Sequence, residues 1–418
     1  MLVKTILNSI ERFKSFVFDT VHWETVKGVH SIIVSIRARA NSRPECSQCG
    51  QKAPVYDTQR ARSYEYVPLW GYKVFFRYAP RRVSCPVHGV RVERVPWAEG
   101  KEQMTTTYRT FLAGWAKRLS WLETAQVFRT SWDTVYRAVC FAVEYGLAHR
   151  DVNGVTGIGI DEIQVFVGHK YLTLVYQIDH HARRLLWCGP ERSAKTLLRF
   201  FRKWGDERSA ELKFISSDMW APYLTVVHKK ASQAIHILDR FHIMKKFGEA
   251  IDKIRRAEVK ELKAKGQETV LEKTRWILLK NKENLTDKQT VRLKTLLDMN
   301  LKVAKAYLLR QDFLQFWEFT DPECAGRFLD EWVTRTLKTN LEPMKDVARM
   351  LRRHRELILN WFVPEPKISN GCVEGFNLKA KLTLRKAFGF RNINHIQVAL
   401  YHTLGNLPTP PLTHRFCG

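Results

Sequence analysis

The chain reads as a multidomain α/β protein, and three stretches of its sequence carry that reading. Residues 155–238 give three strand-forming runs in hairpin-like succession and then alternate strand with helix, the pattern of a mixed sheet. Residues 240–361 are charged and helix-favouring with hardly any β signal, so an all-helical segment of several helices follows. Ahead of both lies a β-rich stretch, 29–94, and then a helical one, 105–149. At 418 residues the chain exceeds one compact core, and two to four domains are expected.

In the β-rich stretch, Ser31–Ile36, Tyr64–Pro68 and Lys73–Tyr78 are β-branched or aromatic and bounded by Gly, Pro and Asn. The helical stretch places Phe111, Trp115 and Leu119 on one stripe and Val135, Val139 and Val143 on another. Strands are expected at 155–160, 164–167, 171–178, 184–188, 212–215 and 234–238, with a helix over 193–204. A last helix is expected from about Gly371 to Ala387, and the tail, with Pro408, Pro410 and Pro411, is expected to be loose.

Lys and Arg number 69 against 42 Asp and Glu, a formal net charge of +27, which points to a polyanionic partner with nucleic acid foremost. A membrane-surface protein would need an amphipathic anchor or a long apolar span, and the sequence has no run of about 18 uncharged apolar residues. The opening residues mix apolar side chains with Lys4, Glu11, Arg12 and Lys14, unlike a secretory signal, so a cytoplasmic protein with no membrane partner is expected. Eight cysteines are too few for a disulfide scaffold.

Three of those cysteines cluster with a histidine. Cys46 and Cys49 are two residues apart, as are Cys85 and His88, and thirty-five residues separate the pairs. Two such knuckles brought together by a hairpin supply the four S and N donors of a closed, structural zinc site. Gly50 and Gly89 follow the pairs, where a knuckle turn needs a permissive backbone.

Trp121–Phe128, a break at Arg129–Ser131 and a helix from Trp132 to Tyr145 have the spacing of a helix-turn-helix. Ser131 can cap the second helix, and Trp132, Thr134, Tyr136 and Arg137 then stand near the end that would reach base edges. A plain αα-hairpin has the same pattern.

In so basic a chain, acids at the ends of apolar strands stand out. Asp161 ends Val155–Ile160, Asp218 lies beyond Lys213–Ile215, and Glu374 sits in the first turn of the late helix, after Ser369, Asn370 and Gly371 as candidate caps. Phosphoryl transfer on a DNA backbone calls for two hard cations about 4 Å apart, held by carboxylate oxygens. On the late helix, Glu374, Asn377, Lys381 and Arg385 share one face, so an acid and phosphate-binding cations fall together. Each acid has an ordinary structural role open to it: a strand-end cap for Asp161, an N-cap for Asp218, a dipole-favoured charge for Glu374. Glu162 and Asp179 are rivals, the first expected on the opposite strand face and the second in a hairpin turn with His180 and His181. Spacing alone does not choose among them.

At these residues the chain resembles the DDE transposases of bacterial insertion sequences, of the ISL-three family. The motifs are Gly159-Ile-Asp161-Glu162, Ser216-Ser-Asp218-Met, Asp239-Arg-Phe-His242, Ser369-Asn-Gly-Cys-Val-Glu374-Gly-Phe-Asn377 and Gly389-Phe-Arg391-Asn392. The resemblance implies an RNase H-like catalytic core with Asp161, Asp218 and Glu374 binding two Mg²⁺ or Mn²⁺ ions, and an all-helical insertion between the second and third acids. Asp239, His242 and Asn377 become supporting residues. His88 stands where such chains often carry a fourth cysteine.

The expected layout is a zinc ribbon domain over 1–98, a helix-turn-helix over 99–150, and the core in two pieces, 151–239 and 367–405. The insertion fills 240–366, and 406–418 is the tail. The function implied is binding of element-end inverted repeats, metal-dependent strand cleavage and strand transfer into target DNA. A homodimer on DNA and a bacterial, nucleoid-associated location come with it. A nuclease without strand transfer, or a DNA-binding regulator derived from a transposase, are the alternatives.

Overall fold

A computed structural model of the chain describes residues 3–411 apart from 169, 180–181, 267–269, 281, 300 and 364–370. It forms two compact units, Met1–Asp151 with Lys381–Gly418, and Val152–Ala380.

The first unit opens with α1 (Val3–Ile10), β1 (Phe16–Val26) and β2 (Val29–Ala38), followed by β3 (Val55–Thr58), β4 (Arg62–Leu69) and β5 (Tyr72–Tyr78). Its larger sheet has the order β1-β2-β5-β4. The hairpins β1–β2 and β4–β5 close on Lys27-Gly28 and Trp70-Gly71, with φ of 50° and 78° in the first and 50° and 80° in the second. Two successive positive φ values suit a tight turn whose twist matches the strands. Phe18, Val34, Tyr66, Phe76 and Trp97 are buried between the sheet and α1. Strand β1, Phe16–Val26, was not among the expected strands. Only Phe16 and Phe18 of that strand are buried, and Asp19, His22 and Glu24 interrupt its apolar residues.

A second, three-stranded sheet of order β3-β6-β7 is completed by β6 (Arg81–Cys85) and β7 (Gly89–Val92). Three helices follow: α2 (Thr106–Arg118), α3 (Trp121–Val127) and α4 (Trp132–His149). Ser120 and Glu123 form a capping box on α3, Arg129 turns the chain at φ 49°, and the Ser131 hydroxyl accepts from Thr134 N at the start of α4.

The second unit is built on a five-stranded sheet. Its strands are β8 (Gly157–Phe166), β9 (Lys170–Gln177), β10 (Arg184–Pro190), β11 (Phe214–Ser217) and β12 (Ile235–Leu238), in the order β10-β9-β8-β11-β12. The first three run antiparallel, and β8, β11 and β12 are parallel. Helices α5 (Ala194–Trp204), α6 (Asp206–Ala210) and α7 (Ala221–Lys230) lie between these strands in sequence. Ile158, Ile160 and Ile215 pack one face of the sheet on Phe200 and Tyr223. Where the sequence suggested two strands, 155–160 and 164–167, β8 is continuous. The polar pair Asp161-Glu162 needs no turn, because alternation sends one side chain to each face.

Beyond β12 come α8 (Arg240–Ala264), α9 (Arg275–Leu279), α10 (Asp287–Asp298), α11 (Lys302–Leu314), α12 (Pro322–Leu337), α13 (Glu342–Arg353) and α14 (Arg355–Leu359). They share a core around Phe247, Phe313, Phe316, Trp332 and Leu351. Each such side chain, fully buried, contributes about 1.5–3 kcal/mol.

The late helix is α15 (Gly371–Lys386), whose expected caps Ser369 and Asn370 lie outside the described residues. The chain then turns through Phe388 and Gly389 at φ 53° and 96°, and an unexpected helix, α16 (Ile393–Leu404), begins on an Asn392 cap. It packs on α4 in the first unit. The tail expected to be loose is packed at Leu407: a β-carbon at Gly146 would meet Leu407 Cβ at 2.5 Å, so that glycine makes room for it, while 412–418 lie outside the described residues.

Candidate active site and metal centre

The carboxyl ends of the parallel strands gather the acids. Ser216 pairs with Gly159 across β11 and β8, and Ser217 with Leu238 across β11 and β12. Continuing those registers brings Asp161, midway along β8, abreast of Asp218 and Asp239, which stand just beyond the ends of β11 and β12. Carboxylates so placed lie where open α/β sheets hold their ligands.

Helix α15 supplies the fourth acid. Val373 seats on Gly159 so closely that a β-carbon there would meet it at 2.6 Å, and Phe376 stacks on Tyr176 with centroids 4.9 Å apart. That seating aims Asn377 at the strand: its amide donates to Asp161 Oδ2, and its Oδ1 accepts from the Tyr176 hydroxyl at 3.0 Å. Glu374, one turn earlier on the helix, comes within electrostatic reach of Asp239 and Asp161.

His242, one turn into α8, places Nε2 3.6 Å from Asp239 Oδ2 and 3.9 Å from Asp161 Oδ1. Burial raises the Asp161 carboxyl above the ordinary carboxylate range, with His242 opposing. Burial and then Asp239 hold Glu374 up, again against His242. Asp239 also caps α8, accepting from Phe241 N at 2.9 Å.

Asp218 is held differently. Its Oδ2 lies 2.5 Å from Arg192 Nη2, and its Oδ1 accepts from Trp220 N at 3.0 Å. The same guanidinium lies 3.0 Å from Glu162 Oε1 and 4.7 Å above the Trp220 ring. Burial, with the neighbouring Asp218, pushes Glu162 up to about 7. The structure therefore sets Asp161 and Glu374 with Asp239 and His242, and turns the Asp218 carboxylate to Arg192. Neither Arg192 nor Tyr176 was singled out in the sequence, where a lone arginine before a helix cap and a lone strand tyrosine carry no pattern. The rival Asp179 has structural partners, accepting from the Thr156 hydroxyl at 2.8 Å and Gln177 Nε2 at 2.9 Å.

The donors at the acidic site are hard oxygens plus one imidazole, a set suited to Mg²⁺ or Mn²⁺. It is an open constellation. Among the described residues, the groups of three or more donors drawn within 4.8 Å of one another come to one set, Cys46, Cys49, Cys85 and His88.

That second set could hold a metal ion in the small sheet. Cys49 Sγ lies 3.6 Å from Cys85 Sγ, and His88 Nδ1 lies 3.7 Å from Cys85 Sγ and 4.0 Å from Cys46 Sγ. A tetrahedron with bonds of about 2.3 Å has edges of roughly 3.8 Å, so the four atoms fit one ion. Backbone N–H groups of Cys49 and Gln48 bring the Cys46 thiol down to about 6. Gly50 and Gly89 turn the knuckles at φ 70° and 69°.

On α4 the four residues expected at base edges differ in their engagements. Trp132 stacks on Tyr136 at 5.5 Å and meets His395 at 5.1 Å, so its ring belongs to an aromatic cluster. The Thr134 hydroxyl is 2.8 Å from that of Ser131. Arg137 is exposed, its guanidinium 3.1 Å from Asp133. Lys381 and Arg385 are exposed on α15. No helix among the described residues is long and apolar enough to cross a membrane.

Comparison with known proteins agrees with the sequence motifs. A family model described as a transposase of the ISL-three type matches residues 158–400. The chain is 30% identical to the transposase for insertion sequence element IS1557 of Mycobacterium tuberculosis, covering 92% of this chain and 91% of that protein. It is 25% identical to the transposase for insertion sequence element IS1001 of Bordetella parapertussis, covering 94% of this chain and 96% of that one. With a family model spanning more than half its length and relatives aligned nearly end to end, the chain belongs to the ISL-three family of DDE transposases.

Proposed function

We propose that this protein binds the inverted repeats at the ends of an insertion sequence, cuts the DNA there and joins the freed 3′ end to target DNA. One observation carries the proposal: in a transposase-family chain, Asp161, Asp218 and Asp239 come abreast on adjacent strands of one sheet, and Glu374 of α15 lies within electrostatic reach of Asp161 and Asp239. Three antiparallel strands followed by two parallel ones support an RNase H-like core in 151–239 and 367–405, with 240–366 as its all-helical insertion.

Asp161, Asp218 and Glu374 would hold two Mg²⁺ or Mn²⁺ ions, which when bound supply activation of the attacking oxygen and stabilisation of the leaving one. Asn377, fixed by Tyr176, holds Asp161 in one orientation. Arg192 has to yield Asp218 for that acid to take part. Asp239 and His242 support the site from the end of β12 and the first turn of α8. No covalent protein–DNA intermediate is needed, because water and then the 3′-hydroxyl serve as nucleophiles.

Residues 1–98 act as a zinc ribbon and 99–150 as a helix-turn-helix, with Trp132, Thr134 and Arg137 towards the bases. Lys381 and Arg385 serve as phosphate contacts. Two ends cut in concert call for a homodimer on the DNA. Arg137→Ala is expected to weaken binding to element ends by roughly 1–3 kcal/mol more than binding to random DNA. Titration on both DNAs checks it, and equal losses make Arg137 a phosphate contact.

The experiment that tests the function incubates the full chain with Mg²⁺, a DNA carrying the inverted repeats that flank its gene, and a circular target. Covalent joining of end to target is the expected product. Cleavage without joining identifies a nuclease, and binding without cleavage a regulator.

A further inference from the structure

Beside the acids, in the second unit, the helical segment encloses a cleft of about 930 Å³. Asp239 and Glu374 form part of its lining, so it opens directly onto the acidic site. Its volume is at the upper end of the roughly 300–1,000 Å³ of small-ligand clefts and is far too small for a duplex with both its grooves.

Two features of the lining select the occupant. Phe241 on α8 and Trp276 on α9 keep 53% and 62% of their surfaces exposed. Apart from Asp239 and Glu374, the lining holds five Lys and Arg side chains against two acids, Glu249 and Asp252. The Arg275 guanidinium lies 5.1 Å over the Trp276 ring, so cation and aromatic face present themselves together. Open ring faces beside guanidinium groups suit a ligand that alternates flat π-systems with phosphates. An unpaired nucleic acid strand has that chemistry, because every base offers a face to stack and every linkage a negative charge.

We propose that this cleft binds a short unpaired DNA segment adjoining the phosphodiester being cut, stacking bases on Trp276 and Phe241; it rests on the DNA-cutting role proposed above. The helical segment then melts or traps the DNA end as well as bridging strand and helix. The cost of unpairing is offset by stacking and by cation–phosphate contacts, and the strand runs towards Glu374.

The test uses the full chain with metal chelated, so that binding is read without cleavage. Two probes are compared: an element-end duplex that is blunt, and the same duplex with a short unpaired oligothymidine tail carrying 2-aminopurine. Tighter binding of the tailed probe and quenching of 2-aminopurine on binding are expected. Trp276→Ala should lower affinity for the tailed probe about ten- to a hundred-fold while blunt-duplex affinity stays put, and Trp276→Phe should restore most of it. Phe241→Ala provides a second, independent loss should Trp276→Ala lower the melting temperature. Equal binding of blunt and tailed probes by the parent protein overturns the proposal, as does competition by oligoglutamate as effective as that by oligothymidine. A parent protein that binds neither probe takes down the DNA-cutting role itself, which separates the two failures.

Discussion

Asp161→Asn, Asp218→Asn and Glu374→Gln should each abolish strand cleavage and strand transfer while leaving binding to element ends intact. A carboxamide keeps the shape of the acid but supplies no anionic oxygen to offset cation charge, and the ions are asked to stabilise both the attacking and the leaving oxygen. The decisive comparison is Asp239→Asn. Asparagine caps helices as well as aspartate, so the bond from Phe241 N to residue 239 survives and α8 keeps its start. Asp239→Asn should therefore retain much of the parent rate if Asp239 only supports the site. The opposite pattern, in which Asp239→Asn is dead and Asp218→Asn is active, would replace Asp218 in the triad. The acids set together in the structure would then be the working ones, with Asp218 a structural partner of Arg192. Glu162 makes a poor control, since removing its charge releases one side of Arg192 and so disturbs Asp218 indirectly. All variants are assayed with Mg²⁺ and Mn²⁺, and end binding and thermal melting are measured beside cleavage, so that a misfolded variant is recognised by loss of both.

What could be read from the sequence follows from which interactions are local. Strands β2, β4, β5, β9 and β10 announce themselves as short runs of apolar, β-branched and aromatic residues, whereas in β1 such residues are interrupted by Asp19, His22 and Glu24 and burial is confined to one end. Ser131 as the cap of α4 and Gly50 and Gly89 as knuckle turns are local devices, and the structure uses all three as read. The acids were visible as charge at strand ends, but their side-chain directions were not. Whether Asp218 faces Asp161 or Arg192 depends on a residue twenty-six positions earlier, and no periodicity encodes that pairing. Helix α16 was missed because its packing surface belongs to α4, more than two hundred residues away in sequence. Continuity of β8 was hidden for a related reason: an Asp-Glu pair looks like a turn until helices are known to cover both faces of the sheet.

Removing metal from the first unit should unfold its small sheet while leaving the second unit folded. The buried apolar cluster of β3, β6 and β7 consists of Cys46, Ala53, Val83 and Cys85, and two of those four are the proposed ligands themselves. So small a core cannot offset the entropy of ordering three strands and two knuckles; segments of this size ordinarily need a metal or disulfides. Structural zinc in comparable modules supplies apparent binding energies of about 10–16 kcal/mol, all of which counts as folding energy for a site that does not exist in the unfolded chain. Freshly purified, reduced protein is expected to carry about one zinc per chain. Chelation, or Cys85→Ser, should then open residues 44–58 and 81–94 to protease, whereas the core around Phe247, Phe313 and Trp332 has no such dependence and should resist as before. His88→Cys provides the opposite control, because a fourth thiolate preserves the donor count and should keep both zinc and protease resistance. Purified protein without zinc, or a chelated protein whose 44–58 and 81–94 segments resist protease as well as the parent, would mean that β3, β6 and β7 hold together without a metal. The four side chains would then be a thiol cluster that merely has the spacing of a zinc site.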